Sequence, residues 1–104
     1  MKILVIDDER TPKFEAKIVR SSDEAIPLIL YNYWDEVWFD WDLGGDDTAG
    51  NIIYAIEESA FFGQIPNFRT AVIHTSNPVG RMLLDKTLSK WYNIKHVDLQ
   101  EFAI

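Results

Sequence analysis

Two acidic residues, Asp7 and Asp8, follow directly on an apolar, β-branched run, Lys2–Ile6, and two more, Asp40 and Asp42, close a second run, Glu36–Asp40. A third run, Arg69–Thr75, leads into His74, Thr75 and Ser76. If the two acidic runs are neighbouring strands, their carboxylates fall within a few Å of each other. Like charges at that range cost about 4 kcal/mol per pair at an effective dielectric near 20. A hard divalent cation, Mg²⁺ or Mn²⁺, answers this repulsion, because it takes oxygen ligands, keeps several waters and bridges carboxylates to a phosphate. Asp7, Asp8, Asp40 and Asp42 are therefore the candidate metal ligands. The competing reading has them capping loops and facing water. Asp46 and Asp47 are assigned to solvent, as charges on a polar loop, Gly44–Gly50.

His74 is the histidine placed near this acidic cluster. Its imidazole can shuttle a proton near neutral pH, and the alternative is a histidine hydrogen-bonded inside the sheet. His96, with no acidic motif beside it, is read as structural. Asn77-Pro78 marks a helix start, with a capping side chain and a proline at the first helical position. Such a start offers backbone N–H groups and a positive dipole end to an anion. Gly80 would let a ligand approach closely, and Arg81 could grip phosphate in a bidentate fork. Arg10 has two readings, as a phosphate contact or as partner to Asp8 and Glu9. Trp38 and Trp91 are assigned to the core. Trp41 is assigned to packing, with stacking on a nucleobase as the competing role.

These residues need a scaffold that brings strand ends together. The chain has 104 residues, which suits one domain spanning 1–104. With 47% hydrophobic residues it can build a core. It has no cysteine, which excludes disulfides and thiolate zinc sites and fits a reducing, cytoplasmic setting. The N-terminal apolar run is too short for a signal peptide or a membrane span. A net charge of −7 opposes generic binding to nucleic acid or anionic membrane, while leaving room for a small phosphorylated ligand or nucleotide held through a cation.

Strand and helix signals alternate, which implies a parallel sheet with helices against it. Lys2–Ile6 is the first strand, Asp8–Ala16 a loop and Lys17–Arg20 the second strand. Ser21 opens a capping box with Glu24, and Pro27 predicts a later helix start or a kink. Glu36–Asp40 is the third strand, and Asn51–Phe62 a helix ended by Gly63. Arg69–Thr75 is the fourth strand, Asn77 to about Asn93 the last helix, Lys95–Leu99 the fifth strand and Gln100–Ile104 a tail. The fold class is α/β, a five-stranded parallel sheet with a loop in place of a helix between the first two strands.

Ile6-Asp7-Asp8-Glu9, a strand ending in Asp40 followed by Leu43 and Gly50, and Thr75-Ser76 together resemble the response-regulator receiver pattern. A narrower subset is closer. Asp7-Asp8-Glu9-Arg10 with Pro12, Asp40-x-Asp42-Leu43-Gly44, and the run His74-Thr75-Ser76-Asn77-Pro78-Val79-Gly80-Arg81 are similar to the cyclic-phosphate-processing receiver domains. The resemblance implies a doubly wound sheet in the flavodoxin-like order 2-1-3-4-5 with the first helix reduced to a loop, and a Mg²⁺-dependent site that binds and hydrolyses a phosphate ester, such as the cyclic phosphate of a nucleotide or RNA end. In that scheme Asp7, Asp8 and Asp40 hold the metal, and Asp40 or a water activated by the metal attacks phosphorus. His74 moves a proton, and Thr75, Ser76 and Arg81 hold phosphate oxygens. Two positions depart from the pattern. Trp41 stands where the family commonly has histidine, and Lys95 begins the last strand where receivers end it with lysine. These departures favour another reading, a non-catalytic module that docks a protein partner; a third, a phosphoacceptor on Asp40, is the weakest because the lysine that usually senses the phosphoryl group is missing.

Overall fold

The computed structural model describes residues 1–98 and the backbone of residues 102–103. Five parallel strands form the sheet: β1 (Ile3–Ile6), β3 (Lys17–Val19), β4 (Trp34–Phe39), β5 (Phe68–Ile73) and β6 (Asn93–His96), in the order β3-β1-β4-β5-β6. Counted without the short β2 (Thr11–Pro12), this is the order 2-1-3-4-5 expected from the sequence. Most strand ends differ by one or two residues from the sequence reading, as boundaries commonly do, but the last helix stops at Leu88, about five residues before the expected Asn93, and Val97 and Asp98 lie beyond the last strand. The last strand starts earlier, at Asn93, and residues 99–101 and 104 of the expected strand end and tail lie outside the described residues.

Three helices, α1 (Ser22–Tyr31), α2 (Gly50–Phe61) and α3 (Pro78–Leu88), carry the crossovers between β3, β4, β5 and β6. The two faces of the sheet separate residue by residue, as strand alternation requires. Leu4, Ile6, Val37, Phe39, Ala71 and Ile73 pack with Ala25, Ile29, Ile52, Ile56, Leu84 and Leu88 of the helices. Val5, Trp38 and Val72 form a second, smaller cluster with Ile3, Phe14, Ala16 and Val97, none of which is helical. The connection from β1 to β3 therefore does with Phe14 and Ala16 what a helix would otherwise do. Phe14 lies with its ring centroid 4.8 Å from that of Trp38. The same connection contains β2, which pairs antiparallel with β7 (Phe102–Ala103).

Ser21 caps α1 as its sequence predicts, its Oγ accepting from the Glu24 N–H at 3.2 Å. Glu24 reaches back to the Arg20 N–H at 3.1 Å. Pro27 lies inside α1, yet the helix begins at Ser22 with no delayed start. The capping box secures the first turn before the proline removes a donor. Asp47, expected in solvent, is half-buried and accepts hydrogen bonds from the Ser22 N–H, the Ser22 hydroxyl and the Asn51 amide. It ties the loop after β4 to the positive end of α1, where a carboxylate is favoured. Among the described residues no helix is long and apolar enough to cross a membrane.

Candidate functional site

Parallel register sets the site. Ile6 pairs with Phe39, and Phe39 with Ile73, so Asp7, Asp40 and His74 each stand one residue beyond the ends of three adjacent strands. Backbone bonds continue the ladder past the strand ends, from Asp40 N–H to Ile6 C=O at 3.0 Å and from His74 N–H to Phe39 C=O at 3.1 Å. Because Ile6, Phe39 and Ile73 face the helices, the next residues point the other way, toward the side of Trp38. The three side chains are buried, and one ligand atom from each lies within 4.8 Å of the others. β1 and β4 are also where strand order reverses, the usual ligand position in such sheets.

The two carboxylates are held differently. Asp7 is fully buried. Its Oδ1 accepts from the N–H groups of Glu9 at 2.9 Å and Arg10 at 2.8 Å, and its Oδ2 meets His74 Nε2 at 3.2 Å. Burial pushes its pKa up, but the bonds from His74 and the two backbone donors outweigh that and hold it below the ordinary carboxylate value. Asp40 goes the other way. Burial, with the neighbouring charge of Asp7, pushes it above the ordinary value despite bonds from the Thr75 hydroxyl and the Trp41 N–H. Arg10 Nη1 stands 3.5 Å from Asp7 Oδ2 and 3.6 Å from Asp40 Oδ2.

A cleft of about 320 Å³ opens over Asp40, lined by Asp8, Glu9, Arg10, Asp42, Gly44, Gly45 and Ser76. A larger hollow of about 820 Å³ lies at the amino ends of the strands, around Lys2, Ile3, Leu28 and Trp34. Converging titratable groups rather than volume mark the smaller cleft as the candidate site. Gly44 and Gly45 have φ of +92° and +57°, a backbone that glycine adopts without strain. A Cβ on Gly44 would stand 3.3 Å from Asp8 Oδ2, so this glycine also leaves room for the acid.

The expected residues divide into two sets. Asp8, Arg10, Asp40, Asp42 and Ser76 meet in the cleft. Asp7 and His74 stand behind it, buried. Thr75 is buried, bonds Asp40 and accepts from the Asn77 N–H at 3.2 Å. The start of α3 is already satisfied. Asn77 Oδ1 accepts from the N–H groups of Val79 at 3.1 Å and Gly80 at 3.0 Å, while its amide donates to Asp42. Arg81 donates to the Thr75 carbonyl at 2.9 Å. Gly80 makes space for Trp41, whose Cγ is 2.2 Å from where a Gly80 Cβ would be. One contributor is missing from the sequence reading. Arg20 donates to the carbonyls of Asp7 at 3.1 Å and Arg10 at 2.7 Å, fixing the acidic loop from the end of β3. A cation one residue past a strand beside an acidic loop was the available signal.

The sequence profile of the cyclic-phosphate-processing receiver domain matches residues 2–90, most of the chain. The chain belongs to this family. The solved structure of a CheY-like response regulator receiver domain protein from Methanospirillum hungatei aligns with a TM-score of 0.58 at 14% identity, covering 90% of this chain and 80% of that one. That likeness shows the receiver fold. No curated protein sequence matches the chain. Within the receiver frame, Trp41 fills the place between Gly50 and Gly80, bridging the starts of α2 and α3. Lys95 pairs in register with Val72, short of the end of β6, and lines a hollow with Met1, Phe14 and Glu36 away from the acids. The cation beside Asp7 and Asp40 is instead Arg10, from the loop after β1.

The donor set suits a hard divalent cation. Asp7 Oδ1 and Asp40 Oδ1 are committed to backbone N–H groups, while Asp7 Oδ2, which also meets His74, and Asp40 Oδ2 stand together beside Arg10, with Asp8 nearby in the cleft. Oxygen donors around a cleft with room for waters and a phosphate match Mg²⁺ or Mn²⁺.

Proposed function

We propose that this receiver domain binds Mg²⁺ or Mn²⁺ at Asp7 and Asp40 and hydrolyses a phosphate ester in the adjoining cleft, a cyclic phosphate of a nucleotide or RNA end being the substrate class. The observation that carries the reading is the convergence of two carboxylates from neighbouring strand ends on a cleft that also holds Arg10 and Ser76. Membership of the family supports the cyclic-phosphate assignment. The bound cation would supply charge neutralisation and Lewis-acid polarisation of the phosphoryl oxygens.

The chain's own groups then have distinct tasks. Asp40, in the cleft with its Oδ2 facing Arg10, is the carboxylate placed to act on substrate or on the attacking water. Asp7 stays ionised and anchored behind it. His74, buried against Asp7, acts as a positioning residue that orients that carboxylate. Arg10 and Ser76 face the phosphate, with Asp8 and Asp42 on the rim. In the reaction, water adds to phosphorus, one ester bond to the ribose breaks, and the departing oxygen takes a proton to give a phosphomonoester.

The test is turnover of nucleoside 2′,3′-cyclic phosphates with Mg²⁺ or Mn²⁺ by the wild type and by Asp40→Asn. Metal-dependent turnover, lost in the variant, is expected. No turnover above background with either metal removes the hydrolase. Exposed Phe61 at the end of α2, with Phe62 and Ile65 after it, favours a second reading, a non-catalytic module that docks a protein partner. That reading takes over if the folded chain turns nothing over.

A further inference from the structure

Arg10 stands against both carboxylates that the reading above assigns to the metal. Its Nη1 stands between Asp7 Oδ2 and Asp40 Oδ2, at 3.5 Å and 3.6 Å, and these are the two carboxylate oxygens not held by backbone N–H groups. Both distances exceed the 2.7–3.2 Å of an ordinary N–H···O bond, so the guanidinium is a charge poised between two acids rather than locked to either. Asp7 is fully buried, while Arg10 lines the cleft in front of it. A cation approaching from the cleft reaches Asp7 once that side chain has moved.

The loop is built so that it can move. The Arg10 N–H donates to Asp7 Oδ1 at 2.8 Å, and the Arg10 carbonyl accepts from Arg20 at 2.7 Å. These main-chain bonds hold the backbone whichever way the side chain turns. The side chain itself is 30% exposed, so its route into the cleft is open. Swinging out requires rotation about side-chain bonds and leaves the loop intact.

We infer that Arg10 is a tethered counter-ion that competes with the divalent cation for Asp7 and Asp40, and that metal binding releases its guanidinium to grip the phosphate. The inference deepens the metal-dependent reading above and rests on it. Two consequences have opposite signs. While the arginine is inward, the metal-competent state is a minority, and the apparent metal affinity is reduced by that fraction. Once it is outward, the same group offers a planar fork to a phosphate in the cleft it already lines, which an ammonium matches poorly. Metal and phosphate therefore promote each other's binding, by equal factors as linkage requires.

The test is calorimetric titration at constant ionic strength, first of Mn²⁺ into metal-free wild type, Arg10→Gln, Arg10→Lys and Asp40→Asn, then of inorganic phosphate into the Mn²⁺-loaded proteins. Arg10→Gln should bind Mn²⁺ at least about tenfold more tightly, the gain expected if the inward arginine holds about nine-tenths of the molecules. It should bind phosphate more weakly than the wild type. Arg10→Lys should keep Mn²⁺ affinity near the wild-type value and still lose phosphate affinity. Arg10→Gln binding Mn²⁺ no more tightly than a wild type that does bind it overturns the inference and leaves the metal site standing. Mn²⁺ binding equally well to wild type and Asp40→Asn, or to neither, overturns the metal reading itself. A Mg²⁺-loaded crystal structure of the wild type decides the matter without any variant. Arg10 turned away from both acids supports the exchange, and Arg10 still between them ends it.

Discussion

Asp7 and Asp40 have the same chemistry and neighbouring addresses, and their surroundings drive them apart. Three donors hold Asp7 ionised, while Asp40 is buried beside that negative charge and resists ionisation. Divergent environments of this kind mark groups with different tasks. The donor on Asp7 that comes from a side chain is His74, so its removal should loosen the carboxylate without touching the cleft. His74→Leu is expected to weaken Mn²⁺ binding by about 10–100-fold, the usual effect of losing a ligand's hydrogen-bond partner. His74→Gln, which can still present an amide N–H, should retain most of the affinity. Equal Mn²⁺ binding by His74→Leu and wild type, with both shown folded by circular dichroism, would exclude the orienting role. That Asp7, Asp40 and His74 come together was legible in the sequence, because each closes an apolar run that reads as a strand of one parallel sheet. The direction in which His74 acts was not legible, since spacing along a chain does not say whether an imidazole stands in a cleft or behind a carboxylate.

The elements matter through how their ends meet. α3 was expected to present N–H groups to an anion, and Asn77 takes those of Val79 and Gly80 for its own cap. Gly80 was expected to admit a ligand and instead admits Trp41. Sequence shows a glycine but not which neighbour uses the missing side chain. Gly80→Ala must displace the indole and should destabilise the fold by about 1–3 kcal/mol through overpacking. In Trp41→Gly/Gly80→Ala the added methyl meets neither the ring nor the Trp41 Cβ, so urea melts should give a total well below the sum of the single changes. Strict additivity would mean that the two residues do not share this contact. Asp47 offers a pH test at the same scale. Burial alone would raise its pKa, but the bonds from Ser22 and Asn51 outweigh that and leave it below the ordinary 3.8. A carboxylate depressed in the folded state contributes stability above its unfolded pKa, lost as pH falls through the folded one. Asp47→Ala should therefore lower stability at neutral pH by about 1–2 kcal/mol, as loss of a helix-start partner does. The gap to wild type should narrow below about pH 4. A gap that is constant between pH 7 and pH 3 would show that the ionised form has no special part. The parallel sheet was legible because strand and helix signals alternate, and the order of its strands because the motifs at the strand ends resemble those of receiver domains. The role of Asp47 was not, because Ser22, which gives it two of its bonds, lies 25 residues away at the start of another helix.

For the whole molecule, an excess of acid meets a fold whose acidic cluster sits at the carboxyl ends of its central strands. The net charge is −7, so any added salt will screen repulsion and raise the melting temperature somewhat. Specific metal binding must be separated from that background. A cation that binds only the folded chain adds RT ln(1 + [L]/Kd), about 2.7 kcal/mol at a hundredfold excess over Kd. For a domain near this size, 1 kcal/mol moves the midpoint by roughly 4–8 °C. Saturating Mg²⁺ or Mn²⁺ should then raise the midpoint by roughly 10–20 °C beyond NaCl of equal ionic strength. The rise should grow with the logarithm of concentration once the site is filled. Asp40→Asn separates the two effects within one chain. It removes a buried charge that the fold disfavours, so the metal-free variant should be the more stable, by about 1 kcal/mol, an ordinary size for a single change. It also removes a ligand, so its response to Mg²⁺ should fall to that of matched NaCl. The two curves should therefore cross, with the variant ahead without metal and the wild type ahead with it. Parallel curves would mean that divalent ions act on the surface charge of the molecule as a whole, and that Asp7 and Asp40 are neutralised from within by Arg10 alone.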